Sequence, residues 1–188
     1  TEMGIENQPA EIDLSGSVEE NTAFILTELT KPEPKDTRII IAGVSSAGPV
    51  ICLALDKIKK QKIAAPAAWI NIGGILQGSP LFEHYNNFPG SWFMNAFLYI
   101  KDWRKEAIAS MGASASKERY QTLNLPDGMV AMNYAGLSLS GQLSNYAKGG
   151  PNDGLTLLAD ILVPDSLTLI ATNSDHFFAE DPLIDAKT

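Results

Sequence analysis

The sequence predicts an α/β fold built on a mostly parallel sheet. Three observations point there. Apolar β-branched runs bounded by turn residues alternate with helical patterns. The runs are continuous rather than alternating, as strands buried on both faces of a parallel sheet are. The length of 188 residues suits one domain, 1–188, with 45% hydrophobic residues for its core.

The elements follow in order. Ser17-Val18-Glu19-Glu20 is a capping box, in which the serine hydroxyl takes an orphan amide and Glu20 reaches back. The helix it opens runs to about Leu29, with Val18, Ile25, Leu26 and Leu29 on one face. Pro32 and Pro34 stop it. Arg38 to Val44 is the first buried strand, and Gly48 to Lys59 the helix after it, with Lys57, Lys59, Lys60 and Lys62 complementing its dipole. Ala67 to Ile72 is a second strand and Gly73 to Pro80 a loop. From Leu81 to about Leu125 the composition changes. Phe82, Tyr85, Phe88, Trp92, Phe93, Phe97, Tyr99 and Trp103 mix with helix formers, which reads as a helical insertion. Asp127 to Tyr134 is a third strand, Gly136 to Gly154 a turn-rich loop, and Leu155 to Leu162 helical or irregular. Ser166 to Ala171 is the fourth strand, followed by the loop Asn173 to Phe178.

Composition narrows the functions. Asp and Glu total 22 against 14 Lys and Arg, for a net charge of −8, so nucleic acid is not an expected partner. No apolar run reaches the ~20 residues of a bilayer span. One cysteine, Cys52, rules out an intrachain disulfide framework and CxxC metal sites. Two histidines, His84 and His176, argue against a multi-histidine zinc site. Thr1 to Pro9 has neither a basic n-region nor an apolar h-region. The first methionine is Met3, so the sequence is expected to be a processed, truncated or nicked product. The compartment stays open between cytoplasm and a secreted or periplasmic location.

The sharpest chemical signal is Gly43-Val44-Ser45-Ser46-Ala47-Gly48, between the first strand and its helix. A serine on such a turn stands at the sheet's C-terminal edge, and the helix N-terminus behind it favours developing negative charge. A nucleophilic serine needs a base and an orienting acid. His176 follows the last strand, where sites form in parallel sheets. His84 opens the insertion and reads as surface or packing. Asp153, in Gly149-Gly150-Pro151-Asn152-Asp153-Gly154, is the acid candidate, although that string is also an ordinary turn. The order Ser45, Asp153, His176, each after a different strand, is that of an α/β-hydrolase triad. Ser46 is the alternative nucleophile, but Val44 would then stand where the turn wants glycine. Asp175 and Asp165 compete less well for the acid role, and Ser79 reads as structural.

These residues carry a resemblance. The chain resembles bacterial lipases and esterases of the α/β-hydrolase superfamily in four segments. Gly43 to Val50 is similar to the nucleophile elbow, and Ile72 to Leu81 to the segment that is usually Gly-Thr-Pro-His-x-Gly-Ser-Pro. Asn152-Asp153-Gly154-Leu155 is similar to the acid loop, and Asp175-His176-Phe177 to the histidine loop. Together they span about Ser17 to Phe178, with residues 82–125 in the place of a lid or cap. Ala47 replaces the third elbow glycine, Val44 the usual histidine or tyrosine, and Gly74-Ile75-Leu76 the Thr-Pro-His. The resemblance implies a serine hydrolase of carboxylic esters: Ser45 nucleophile, His176 base, Asp153 orienting acid. The Ser46 amide would be one oxyanion donor, and no metal or organic cofactor would be needed. The aromatic insertion suggests a hydrophobic ester. The same triad serves thioesterases and acyltransferases.

The family's oxyanion loop has no counterpart before Ser17. The expectation is therefore that the second donor, and a strand pairing beside Arg38 to Val44, come from an upstream segment of the same protein. Without them the chain reads as a weak catalyst or a non-catalytic hydrolase-like binding module.

Overall fold

The computed structural model describes residues 6–32, 34, 37–87, 104–139 and 149–178. Among them the order is α1 (Val18–Leu29), β1 (Ile40–Val44), α2 (Ala47–Gln61), β2 (Ala68–Ile72) and α3 (Pro80–Asn87). Then come α4 (Lys105–Ser110), α5 (Ala113–Gln121), β3 (Val130–Leu137), α6 (Leu158–Ile161) and β4 (Leu167–Thr172). The strands form one sheet in the order β1-β2-β3-β4, and every pair is parallel.

The capping box forms as expected: Ser17 Oγ accepts from Glu20 N–H, and the Glu20 carboxylate accepts from Ser17 N–H at 2.7 Å. Helix α2 supplies most of the core. Val50, Ile51, Ala54, Leu55 and Ile58 are buried against α1 and the sheet. Lys62 at φ 55° ends α2 as a left-handed cap. Cys52 sits in this core, and burial pushes its thiol up to about 12. The folded protein should therefore resist iodoacetamide at pH 8 and react once denatured. Fast alkylation of the native state would contradict this packing.

Two boundaries differ from the sequence reading. The third strand begins three residues late, because Asp127-Gly128 makes a turn with Gly128 at φ +77°. It then runs on to Leu137, because β4 pairs with it in register up to Leu137↔Thr172. The insertion is helical at both ends, in α3, α4 and α5; residues 88–103, with Phe88, Trp92, Phe93, Phe97, Tyr99 and Trp103, lie outside the described residues.

The expected burial of the first strand on both faces is not met among the described residues. Gly43 is buried beneath α2, as are Trp69 and Asn71 on β2, the latter being Gly43's partner in register. The opposite face is apolar along every row of the register: Ile40, Ala68 and Val130; Ala42, Ile70, Met132 and Leu167; Val44, Ile72, Tyr134 and Leu169. Yet Ile40, Val44, Val130, Leu167 and Leu169 are more than half exposed. An apolar run states what a strand needs around it, not which neighbours arrive. No described helix is long and apolar enough to cross a membrane.

Candidate active site

Strand β1 ends at Val44 and α2 begins at Ala47, so Ser45 and Ser46 make the whole turn. Ser45 has φ 55°, in the left-handed region that residues with a Cβ rarely adopt. Neighbouring backbone holds it there. Ser45 N–H donates to Ile72 C=O at 3.0 Å, while its C=O accepts from Gly48 at 3.0 Å and Ile75 at 3.1 Å. The turn also needs small residues. A Cβ on Gly43 would fall 2.3 Å from Ile51 Cδ1 and 3.1 Å from Ala47 Cβ. The methyl that replaces the third elbow glycine at Ala47 is thus tolerated because Gly43 opposite has none. A Cβ on Gly48 would lie 2.7 Å from Gly74 Cα, which is backbone and cannot swing away. Gly48→Ala should therefore destabilise the fold by roughly 1–3 kcal/mol and disturb the serine turn. Denaturant melts with an unchanged midpoint would refute this close approach.

The acid comes from the loop before α6. Asp153 is fully buried, and its Oδ1 accepts from the amides of Leu155 at 2.9 Å and Thr156 at 2.7 Å. Asn152 Oδ1 accepts from Gly154 N–H at 2.9 Å, which completes the turn. Ser79 Oγ donates to Leu155 C=O at 2.7 Å, so this serine braces the acid loop from the segment after β2. That agrees with its structural reading.

The histidine loop leaves β4 through Asn173 at φ 64°. It lies so close to β3 that a Cβ on Gly136 would meet the Ser174 and Asp175 carbonyls at 2.9 Å. Phe178 is buried, with its ring 5.4 Å from that of Tyr134. Phe177 is 70% exposed and stands nearly perpendicular to the His176 ring, with the centroids 5.7 Å apart. His176 N–H donates to Asp153 C=O at 2.8 Å, which ties the two loops together.

Three loops thus converge. His176 Nδ1 lies 2.7 Å from Asp153 Oδ2, and Nε2 lies 2.8 Å from Ser45 Oγ. The carboxylate only accepts, so Nδ1 carries the proton, Nε2 is left with its lone pair, and the Ser45 hydroxyl donates to it. His176 is 4% exposed.

The competing residues stand elsewhere. Asp175 Oδ1 accepts from Phe177 N–H at 2.9 Å, a local turn contact. Asp165 occupies the turn before β4 at φ 53°, and His84 is exposed on α3. Ser46 is the N-cap of α2, and its side chain makes no capping bond. Among the described residues its N–H has no backbone acceptor, which leaves it available beside Ser45. A small depression beside Ser46 is lined by Ile12, Leu14, Val18, Val50 and Met111 together with Asp13 and Asn21. No group of three or more His, Cys, Asp or Glu side chains among the described residues is placed to hold a metal ion. Sequence reasoning passed over Asn71 and Asn133, which are fully buried on β2 and β3; the available signal was a polar residue within each apolar strand.

No protein-family model matches the sequence, and neither does any curated protein. Solved structures do match. A metagenomic carboxyl esterase, MGS0156, superposes with a TM-score of 0.67 over 86% of this chain at 22% identity. The mature form of the Bacillus licheniformis lipase BlEst2 does so with a TM-score of 0.68 over 87% at 18% identity. The chain has the α/β-hydrolase fold. A third structure with this hydrolase fold, phospholipase PlaB from Legionella pneumophila, matches over 83% of the chain with a TM-score of 0.57 and 12% identity. The chain spans 52% of the esterase, 69% of the lipase and 36% of the phospholipase. The α/β-hydrolase fold accounts for the parallel sheet, and for loops at its C-terminal edge that meet around Ser45.

Proposed function

We propose that this chain is the catalytic core of a serine hydrolase acting on carboxylic esters. The observation that carries the reading is the unbroken line of hydrogen bonds from Ser45 Oγ through His176 to the buried Asp153 carboxylate. Ser45 Oγ attacks the ester carbonyl carbon as its proton passes to His176 Nε2. The new oxyanion meets the Ser46 amide, with the N-terminus of α2 behind it. Collapse of the tetrahedral intermediate breaks the bond to the alcohol oxygen, which takes the proton from Nε2 and leaves. A water then gives its proton to Nε2 as it attacks the acyl-enzyme, and the acid departs as Ser45 regains its hydrogen. Asp153 keeps the imidazole in the competent tautomer and stabilises the imidazolium. The acyl group rests on Ser45 throughout, so no organic cofactor or metal enters the reading.

The substrate we propose is a hydrophobic ester. Support comes from exposed Val44 and Phe177, which adjoin the serine and the histidine in the chain. We assign the lid or cap to residues 82–125 on the aromatic content of the segment, whose described ends pack into the core through Phe82, Ile108 and Met111.

A further polypeptide segment of the same protein is the proposed partner, pairing beside β1 and bringing the second oxyanion donor. What supports it is the position of β1 at the sheet edge with an apolar, half-exposed face, a combination that native proteins cover. The 188-residue chain alone should bind 8-anilinonaphthalene-1-sulfonate strongly and turn over esters poorly. A monomeric, dye-negative and fully active 188-residue chain would refute this partner.

The test of the reaction class is a fluorophosphonate probe together with a series of p-nitrophenyl esters. Labelling should map to Ser45, and longer acyl chains should be preferred over acetate. No labelling of any serine would favour a non-catalytic binding module with a hydrolase fold, while turnover of thioesters or transfer to an added acyl acceptor in preference to ester hydrolysis would point to thioester or acyl-transfer chemistry.

A further inference from the structure

We propose that Asn71 and Asn133 are positioning residues that hold the acid and histidine loops in register with Ser45; this rests on the serine-hydrolase reading. The two asparagines are partners in register on adjacent strands, and both are fully buried. Asn71 Nδ2 donates to Asn133 Oδ1 at 3.2 Å and to Ile161 C=O at 2.9 Å. Asn133 Oδ1 also accepts from Val163 N–H at 3.1 Å. Asn133 Nδ2 donates to Ser166 Oγ at 2.6 Å and Thr168 Oγ1 at 3.1 Å, and Ser166 Oγ donates in turn to Val163 C=O at 2.5 Å.

Two side chains thus grip both ends of the link 161–163. That link joins the two catalytic loops. On one side it continues from α6, whose first residue, Leu158, donates to Pro151 C=O at 2.8 Å, next to the Asp153 turn. On the other it feeds β4, which ends at the histidine loop. Asn71 also adjoins the nucleophile. The next residue, Ile72, supplies the carbonyl that holds Ser45 N–H. Asn71 Oδ1 has no hydrogen-bond partner among the described residues and faces the two glycines behind the serine turn. A Cβ would fall 2.0 Å from it at Gly74 and 2.9 Å from it at Gly48.

The surrounding core, with Trp69, Ile75, Leu76 and Val163, is apolar, and leucine has the branching of asparagine with two bulkier methyl groups in place of the amide. Leucine, however, would pack against the link at many heights. An amide accepts only the height at which Ile161 C=O and Val163 N–H both reach it. Apart from Asn71 Oδ1 every amide group of the pair is engaged, and such a buried polar network selects one arrangement where apolar packing tolerates several. Hydrogen-bonded catalytic groups demand such precision, because sub-ångström displacement is costly in rate.

The test uses Asn71→Leu and Asn133→Leu in the intact protein, with a milder Ser166→Ala/Thr168→Val variant that trims the network from its outer end. In the folded variants, judged by circular dichroism, kcat should fall about 10-fold for each leucine and about 3-fold for the double variant, with KM little changed. Fluorophosphonate labelling of Ser45 should slow in parallel. The low-field imidazole proton expected of the 2.7 Å His176–Asp153 bond should shift or broaden. A folded variant with wild-type kcat and labelling rate overturns the proposal. So does an unchanged imidazole resonance, and that readout holds even if the wild-type protein hydrolyses no ester. Absence of labelling in the wild type would instead sink the serine-hydrolase reading.

Discussion

Ser45→Ala should reduce ester turnover by at least ~10³-fold and abolish fluorophosphonate labelling, while the melting temperature stays close to that of the parent. The loss is large because the substitution deletes the attacking atom itself. The Ser46 amide and the helix N-terminus would remain, so the residue of activity measures what oxyanion stabilisation contributes alone. Stability should be spared because the backbone, not the hydroxyl, holds the turn: Ile72 C=O takes the Ser45 amide, and two amides converge on its carbonyl. The matched control is Ser46→Ala. It keeps the backbone donor and should retain most of the activity. If the two variants exchange phenotypes, the nucleophile has been assigned one residue too early.

Asp153→Asn should cost about 10⁴-fold in kcat with the geometry nearly unchanged. The Asp153 Oδ1 contacts to Leu155 and Thr156 can survive as contacts to an amide oxygen. The second position, however, becomes an NH₂ group facing His176 Nδ1. Two donors cannot share a hydrogen bond, so the ring takes the other tautomer and presents N–H to Ser45. A base that already carries a proton at Nε2 cannot accept another from the serine. His176→Ala should remove activity, and His84→Ala should leave it in place. Turnover of Asp153→Asn within tenfold of the parent would mean that another group orients His176.

The serine turn was the most legible part of the site. Its requirements are local: a strand, a left-handed residue and small neighbours within six positions, all written in Gly43 to Gly48. The histidine and acid loops were legible only through their places after strands, since Ser45 and His176 are 131 residues apart in the chain. The sequence preferred Asp153 over Asp175 by its place after the third strand, and the tertiary contact adds what a string of letters cannot show, since an Asx turn and an orienting carboxylate look alike there. At Asp175 the carboxylate caps Phe177, whereas at Asp153 it is buried and faces the imidazole.

By itself the sequence determined the parallel α/β architecture, the positions of four strands along the chain and the triad candidates. Hydrophobic period, proline stops and turn chemistry act over a few residues, so they are visible without coordinates. Tertiary structure decided what depends on meeting partners. It extended the third strand to Leu137, because β4 offered a ladder that far. It made Ser79 a brace for the acid loop and set Asn71 against Asn133, contacts that join residues 76 and 62 positions apart. It also left one apolar face of β1 half exposed, although the run Arg38 to Val44 reads as buried on both sides. A residue's character states which surroundings lower its free energy. Only the packed chain determines which of those surroundings are present.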